Sequence, residues 1–253
     1  MAKIVVFDSG LGSISIIKEI KKIMKADIVY FADQKNYPYG NKSQAQIASI
    51  IKKSINMLEE KFTPDVIVVA SNTPSLMLNL QIGKIIDVKP PLKLAQKKSK
   101  SKKIGILATK ASVNSKGLEN YVKENNIPKS YKIFKINGSN LVDLVESGKF
   151  LNNKKHCKKI IKKSLDYIIT KKIDVITLSS THLLFLKTLL EKEFPQVEFI
   201  DPGSLVAKKI FLKIKNKQSK RNSLKIFTSG NIINFKNKLN KIGIKNKINY
   251  LST

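Results

Sequence analysis

The sequence predicts an α/β protein of two similar lobes, each a mostly parallel sheet flanked by helices, with the active-site cleft between them. Three observations predict it. Apolar runs of strand length alternate with helix-period segments. The two halves of the chain repeat one another. Each repeat ends a strand on a serine in a turn of small polar residues: Ser71 in "VIVVASNTPS" (66–75) and Ser180 in "DVITLSSTH" (174–182).

The elements follow in order. Ile4–Phe7 is short and wholly apolar, as a strand buried on both faces should be. Asp27–Phe31, Val66–Ala70, Ile104–Ala108, Tyr131–Ile136, Val175–Leu178, Val197–Ile200 and Leu224–Thr228 read the same way. Amphipathic stretches lie between them, Ser43–Lys61 and Asn153–Lys171 among them. Parallel strands need such crossovers, so the alternation argues parallel sheets.

The repeat defines the lobes. "IIKKSINML" (50–58) matches "IIKKSLDYI" (160–168), and each leads to "DVI" (65–67, 174–176) and then to its serine. "KIVVFDS" (3–9) pairs with "KIGILAT" (103–109), and "IID" (85–87) with "FID" (199–201). The lysine-rich segment Gln96–Lys103 reads as the crossing between lobes. After "DPGS" (201–204) a helix and "LKIFTSG" should return to the first lobe. The expected division is residues 1–95 with 208–253, and residues 96–207. Open α/β sheets bind ligands beyond the carboxyl ends of their strands. Two facing lobes would set Ser71 and Ser180 on opposite walls of one cleft, an arrangement suited to chemistry on both faces of one atom.

Composition narrows the classes. The 253 residues suffice for two lobes, and 42% hydrophobic content for their cores. No apolar run approaches the roughly 20 residues of a bilayer-spanning helix. Ile4–Phe7 is too short for the apolar core of a signal peptide, so a cytoplasmic protein with no membrane partner is expected. One cysteine, Cys157, excludes an internal disulfide or a cysteine-based zinc site, and two histidines, His156 and His182, argue against a His-rich metal site. The net charge is +30, yet only Arg221 among 48 basic residues is arginine, the side chain that bidentate phosphate recognition favours. Scattered lysines fit compositional bias, with salt-sensitive polyanion binding as a side property rather than the function.

"FDSGLGS" (7–13) mimics a dinucleotide fingerprint, with Gly10, Gly12 and a following Asp33. Ser15 holds the third glycine position, however, and Asp8 would repel a pyrophosphate. The glycines instead suit a tight turn near a small ligand. A serine hydrolase is argued against by the missing G-x-S-x-G.

"FDSGLGS", "YPYG" (37–40), "ASNTPS" (70–75), "LVESG" (144–148) and "LSSTH" (178–182) stand in the order and spacing of the glutamate racemases, and the chain resembles that family over nearly its whole length, "IGILAT" and "FTSGN" included. The resemblance implies a cofactor-independent isomerase that interconverts L- and D-glutamate and supplies D-glutamate for peptidoglycan. It implies two bases, cysteines in the family, acting on opposite faces of Cα. Those positions are Ser71 and Ser180 here. It further implies that Asp8 assists the first base, and His182 and Glu146 the second. Asp8, Ser9, Tyr39, Gly40, Asn72, Thr73, Thr109, Thr181 and His182 would bind the substrate, with no metal or other cofactor. The partners expected are glutamate or aspartate and a second copy of the chain.

Serine at both base positions departs from the family pattern. An engineered Cys-to-Ser form, a natural pseudoenzyme that holds an acidic amino acid or a protein partner, and a natural variant with slow or altered chemistry all fit the sequence.

Overall fold

The computed structural model describes residues 2–78, 80, 82–217 and 219–253. Its strands are β1 (Lys3–Asp8), β2 (Asp27–Ala32), β3 (Val66–Val69), β4 (Ile85–Asp87), β5 (Lys103–Ala108), β6 (Lys132–Asn137), β7 (Val175–Leu178), β8 (Glu198–Ile200), β9 (Ser223–Thr228) and β10 (Ile248–Tyr250). They form a six-stranded sheet, β10-β9-β2-β1-β3-β4, and a four-stranded sheet, β6-β5-β7-β8. Every pairing is parallel. The segment β2-β1-β3-β4 and the whole second sheet therefore share one topology, and the returning tail adds β9 and β10 at the β2 edge. Of the three-residue strands, β8 falls within the expected Val197–Ile200, whereas β4 and β10 do not stand among the strands expected from sequence.

The chain divides into two compact units, Met1–Val88 with Gly203–Thr253, and Lys89–Pro202. The crossings lie earlier than the sequence placed them, at 88/89 rather than 95/96 and at 202/203 rather than 207/208. The cause is packing. Leu92–Lys98 is a helix whose Ala95 is buried with Ile104, Val175 and Ile200, so the lysine-rich stretch begins inside the second unit. Gly203–Ile214 is one continuous helix packed on the helix Ser13–Ile23, so it belongs wholly to the first unit.

In the first unit Val5, Phe7, Val29 and Phe31 bury against Ile47, Ile51 and Leu58 of the helix Gln44–Phe62. Ser43 starts that helix with a full capping box to Gln46. The alternate strand residues Ile4, Val6, Ile28 and Tyr30 are buried as well, so both faces of the sheet are covered. The second unit repeats the pattern. Ile161, Leu165 and Ile168 occupy the repeat positions of Ile51, Ile55 and Leu58, and all six are buried. The matched sequences thus encode one buried stripe, used twice. Asn153–Lys171 is not one helix: Lys154–Leu165 and Tyr167–Thr170 are separate, with Asp166 between them. Gly105 in β5 stands where β1 has Val5. A Cβ there would lie 2.8 Å from Ile136 Cδ1 and 2.9 Å from Ile176 Cγ1, so the second sheet closes over a glycine. Among the described residues no helix is long and apolar enough to cross a membrane.

The aspartates of the two "DVI" segments tie neighbouring strands together at their starts. The Lys3 N–H donates to Asp65 Oδ2 at 2.9 Å, and Lys217 Nζ to Oδ1 at 2.8 Å. Asp174 Oδ1 accepts the hydroxyls of Ser99 and Ser101, each at 2.7 Å, and Oδ2 accepts the N–H groups of Lys100 at 2.7 Å and Ser101 at 2.8 Å. Burial works against the charge on Asp174, but these hydrogen bonds outweigh it and hold the carboxyl below its ordinary 3.8.

A depressed folded pKa contributes stability above the unfolded value and loses it as pH falls through the folded one. Asp174→Asn should therefore destabilise the protein at neutral pH. The gap from the parent should close as pH drops below 3.8, the ordinary value of the group. Denaturant unfolding across that range checks it; a gap constant with pH would contradict the assignment.

Candidate active site

Parallel pairing brings the carboxyl ends of β1, β2 and β3 to one edge of the first sheet, and those of β5, β6 and β7 to one edge of the second. In each sheet the chain runs one way from its first strand to its second and the other way to its third. The crevice opened by that reversal, between β1 and β3 and between β5 and β7, is where such sheets bind ligands. The strand ends are fixed by matching bonds. Ala70 N–H donates to Phe7 O, and Ser179 N–H to Leu107 O, both at 2.8 Å. Asp33 N–H donates to Asp8 O at 2.8 Å, and Gly138 N–H to Ala108 O at 2.7 Å.

Ser71 and Ser180 come next in the chain after those first two anchors. Their backbones nearly coincide, with φ −140°, ψ 125° at Ser71 and φ −147°, ψ 132° at Ser180. Each sits at the N-cap position of a short helical segment, Asn72–Met77 or Thr181–Leu186, and neither side chain makes the capping bond. The commonest structural use of a serine after a strand is therefore not its use here.

The first unit gathers Asp8, Ser9, Tyr39, Gly40, Ser71, Asn72 and Thr73. Asp8 ends β1 and is buried; its Oδ1 accepts the Ser9 N–H at 2.6 Å. The helix Ser13–Ile23 has Gly12 at its N-cap, so Asp8 is not a helix cap. Tyr39 and Gly40 lie in the turn Tyr39–Asn41, and the Tyr39 hydroxyl donates to Asp33 Oδ2 at 3.0 Å. Burial first, then the charges of Asp33 and Asp8 and the Asp33 hydrogen bond, push Tyr39 well above its ordinary 10.0, so it stays a neutral phenol. Asn72 is 3% exposed, and neither Oδ1 nor Nδ2 has a hydrogen-bond partner among the described residues. A buried, unsatisfied amide costs about 1–3 kcal/mol, which is a poor way to build a turn and a good way to hold a site ready. Neighbouring Ser75 serves the structure instead, donating to Ser71 O at 2.7 Å and accepting from Val88 N–H at 3.2 Å.

The second unit gathers Thr109, Glu146, Ser180, Thr181 and His182. Glu146 ends the helix Ser139–Glu146, which packs on the segment Thr181–Leu186. His182 Nε2 lies 3.0 Å from Glu146 Oε2, and both side chains are buried. Thr181 is buried beside them. The Thr109 hydroxyl is engaged locally: it accepts the Ser112 N–H at the start of the helix Lys110–Val113 and lies 3.0 Å from Ser112 Oγ.

The sequence marks Asp33 only through the rejected dinucleotide fingerprint, whereas the structure ties it to the Tyr39 hydroxyl; its position before "YPYG" is the signal the sequence offers. Cys157 is buried on its helix, and burial pushes its thiol up, away from reactivity. Among the described residues no three His, Cys, Asp or Glu side chains are grouped to hold a metal ion.

Two like-built turns, one in each unit, end a strand on a serine whose hydroxyl does not cap the segment that follows, and each unit buries acid–base side chains near that end of its sheet. Sequence comparison supplies the family. The chain is 32% identical over 218 residues to the glutamate racemase of Persephonella marina, covering 83% of this chain and 81% of the relative. The chain belongs to the glutamate racemase family. The structure of glutamate racemase from Aquifex pyrophilus matches with a TM-score of 0.73 and 28% identity over 98% of each chain. That of glutamate racemase from Francisella tularensis in complex with D-glutamate matches with a TM-score of 0.82 and 23% identity, over 100% of this chain and 97% of that one. A scan against protein-family models found no match.

Asn72 and Ser75 give a clean contrast. Asn72→Ala removes an unsatisfied amide and should leave unfolding stability unchanged or raise it by up to about 1 kcal/mol, whereas Ser75→Ala breaks two bonds and should cost about 1–2 kcal/mol. Denaturant unfolding of the two variants checks it. A loss at Asn72 as large as at Ser75 would make Asn72 a structural residue.

Proposed function

We propose that the chain is an isomerase that interconverts L- and D-glutamate by two-base proton transfer at Cα. The observation that carries this reading is the doubled turn: Ser71 and Ser180 share one backbone geometry, and neither hydroxyl caps its helix. In the proposal one hydroxyl, deprotonated, takes the α-proton from one face, and the other returns a proton to the opposite face. Asp8 assists Ser71. The Glu146–His182 pair assists Ser180, with the carboxylate orienting the imidazole and stabilising its protonated form. Ser9, Tyr39, Gly40, Asn72, Thr73, Thr109, Thr181 and His182 bind the ammonium and carboxylate groups through hydroxyls, an amide and backbone N–H groups. No cofactor enters. Cytoplasmic action, supply of D-glutamate for peptidoglycan, aspartate as a second ligand and a homodimer belong to the same proposal. So does weak polyanion binding by surface lysines.

The hydroxyls themselves favour a second reading, an acidic amino-acid binder with little or no turnover. A free thiol titrates near 8.5, and an alcohol several units higher; three units alone would be a handicap of about 4 kcal/mol, or roughly a thousandfold. The Ser71 and Ser180 surroundings must recover much of that for the chain to turn over at a useful rate.

Restoring the thiols separates the readings. Ser71→Cys with Ser180→Cys should raise racemisation, followed by polarimetry, by at least about a hundredfold if thiolate availability is the missing factor. A double variant that folds, binds glutamate and stays inert would mean that the site is not built for this reaction.

Calorimetry tests the ligand. Either enantiomer of glutamate should bind the parent chain at millimolar concentration or better. Asn72→Ala should weaken binding by roughly 1–3 kcal/mol, while Lys98→Ala should change it little. Failure of both glutamate and aspartate to bind would overturn the assignment.

A further inference from the structure

The two sides of the first unit differ in charge. On one side of its sheet the helix Gln44–Phe62 covers Val5, Phe7, Val29 and Phe31. The alternate strand residues face the other way. That second side carries three helices. Ser13–Ile23 packs on β1 and β2, Gly203–Ile214 packs on Ser13–Ile23 and β4, and Ile232–Lys241 sets the Phe235 ring edge-on to Tyr30, 5.9 Å between centroids.

Each of the three helices, "SISIIKEIKKI", "GSLVAKKIFLKI" and "IINFKNKLNK", holds three lysines, and together they hold one acid, Glu19. Glu19 is itself bonded to Lys22. The helix on the opposite side, "QAQIASIIKKSINMLEEKF", sets two glutamates against three lysines. A uniform bias toward lysine would load both sides alike, so the positive potential of this unit has a direction.

The basic side also holds aliphatic groups in water. Leu212 is 69% exposed, Ile233 70% and Ile23 40%, one on each helix. Leu212 stands two residues from both Ile210 and Ile214, opposite the stripe those residues bury, and Lys208 and Lys209 are exposed one turn before it. Single exposed aliphatics are ordinary, but the helix Gln44–Phe62 on the opposite side exposes no large hydrophobic to that degree.

Chemistry separates the partners such a face could take. A second copy would bring a net charge of +30 against the same sign. Nucleic acid draws on arginine for bidentate contacts and on aromatic rings for stacking. These helices hold no arginine, Phe235 is buried and Phe211 is half-buried. An anionic bilayer needs neither. Lysines meet its headgroups as point charges, and aliphatic side chains enter its interfacial zone.

We infer that this three-helix layer is a peripheral docking face for an anionic lipid bilayer, with Lys208 and Lys209 among its charges and Leu212 as an apolar anchor. A contact of this kind needs no spanning helix and no signal peptide, the two features on which the sequence-based expectation of no membrane partner rests. It is independent of the proposed reaction and goes beyond it.

Vesicle co-sedimentation of the full chain at about 0.15 M salt tests it. Vesicles of phosphatidylcholine with roughly one-third phosphatidylglycerol should bind the chain at least about tenfold more tightly than pure phosphatidylcholine. Lys208→Gln with Lys209→Gln should weaken binding to the anionic vesicles about tenfold, and Leu212→Ala about threefold. Lys52→Gln with Lys53→Gln removes the same charge from the opposite side and should weaken it less than about twofold. All five positions are exposed, so the variants keep the packed core. Equal affinity for the two vesicle types, equal losses from the two lysine pairs, or unchanged binding by Leu212→Ala would overturn the inference. Tighter binding to a short DNA duplex than to the anionic vesicles at the same salt, weakened by the change at Lys208 and Lys209, would give the face to nucleic acid and overturn it as well.

Discussion

Parallel pairing is the constraint on which the rest depends. When every strand of a sheet runs the same way, all carboxyl ends reach one edge, and whatever follows the central strands meets there. The bonds from Ala70 N–H to Phe7 O and from Ser179 N–H to Leu107 O fix how far β3 and β7 reach past their neighbours. A slip of one residue at either bond would turn the following serine to the other face of its sheet. The positions of Ser71 and Ser180 are therefore set by backbone register, with the side chains around them refining the chemistry.

The two units spend this shared scaffold differently. The first buries carboxylates and a neutral phenol, Asp8, Asp33 and Tyr39, at the strand ends of its sheet. The second has a histidine paired with a glutamate at 3.0 Å. In the proposed reaction these groups would be different acid–base devices on two matching turns. The first turn carries a cost in the buried, unsatisfied amide of Asn72. Stability elsewhere offsets it: both faces of both sheets are packed, and Asp65 and Asp174 staple the starts of adjacent strands.

Much of this was legible in the sequence, for physical reasons. Parallel strands buried on both faces read as unbroken apolar runs, so β1, β2 and β7 were plain. The repeat was legible because one buried stripe recurs, with Ile51, Ile55 and Leu58 answered by Ile161, Leu165 and Ile168. Among the three-residue strands, β8 was legible within the run Val197–Ile200, while β4 and β10, too short to carry a period, were not. The unit boundaries moved because lysines on the exposed face of Leu92–Lys98 hid the burial of Ala95. In the site, the motifs identified which residues mattered, but not what each would touch. That Glu146 meets His182, that Thr109 is engaged as a cap and that Tyr39 answers to Asp33 depend on side-chain geometry between elements distant in sequence, which periodicity cannot encode.

In the proposed reaction residues 71 and 180 address opposite faces of one α-carbon. The most direct measurement is Cα deuterium uptake in deuterated water by the two single variants, each given L-glutamate and D-glutamate separately. The account predicts that Ser71→Cys speeds uptake from one enantiomer and Ser180→Cys from the other. Uptake from the same enantiomer in both variants, or from neither, would contradict it.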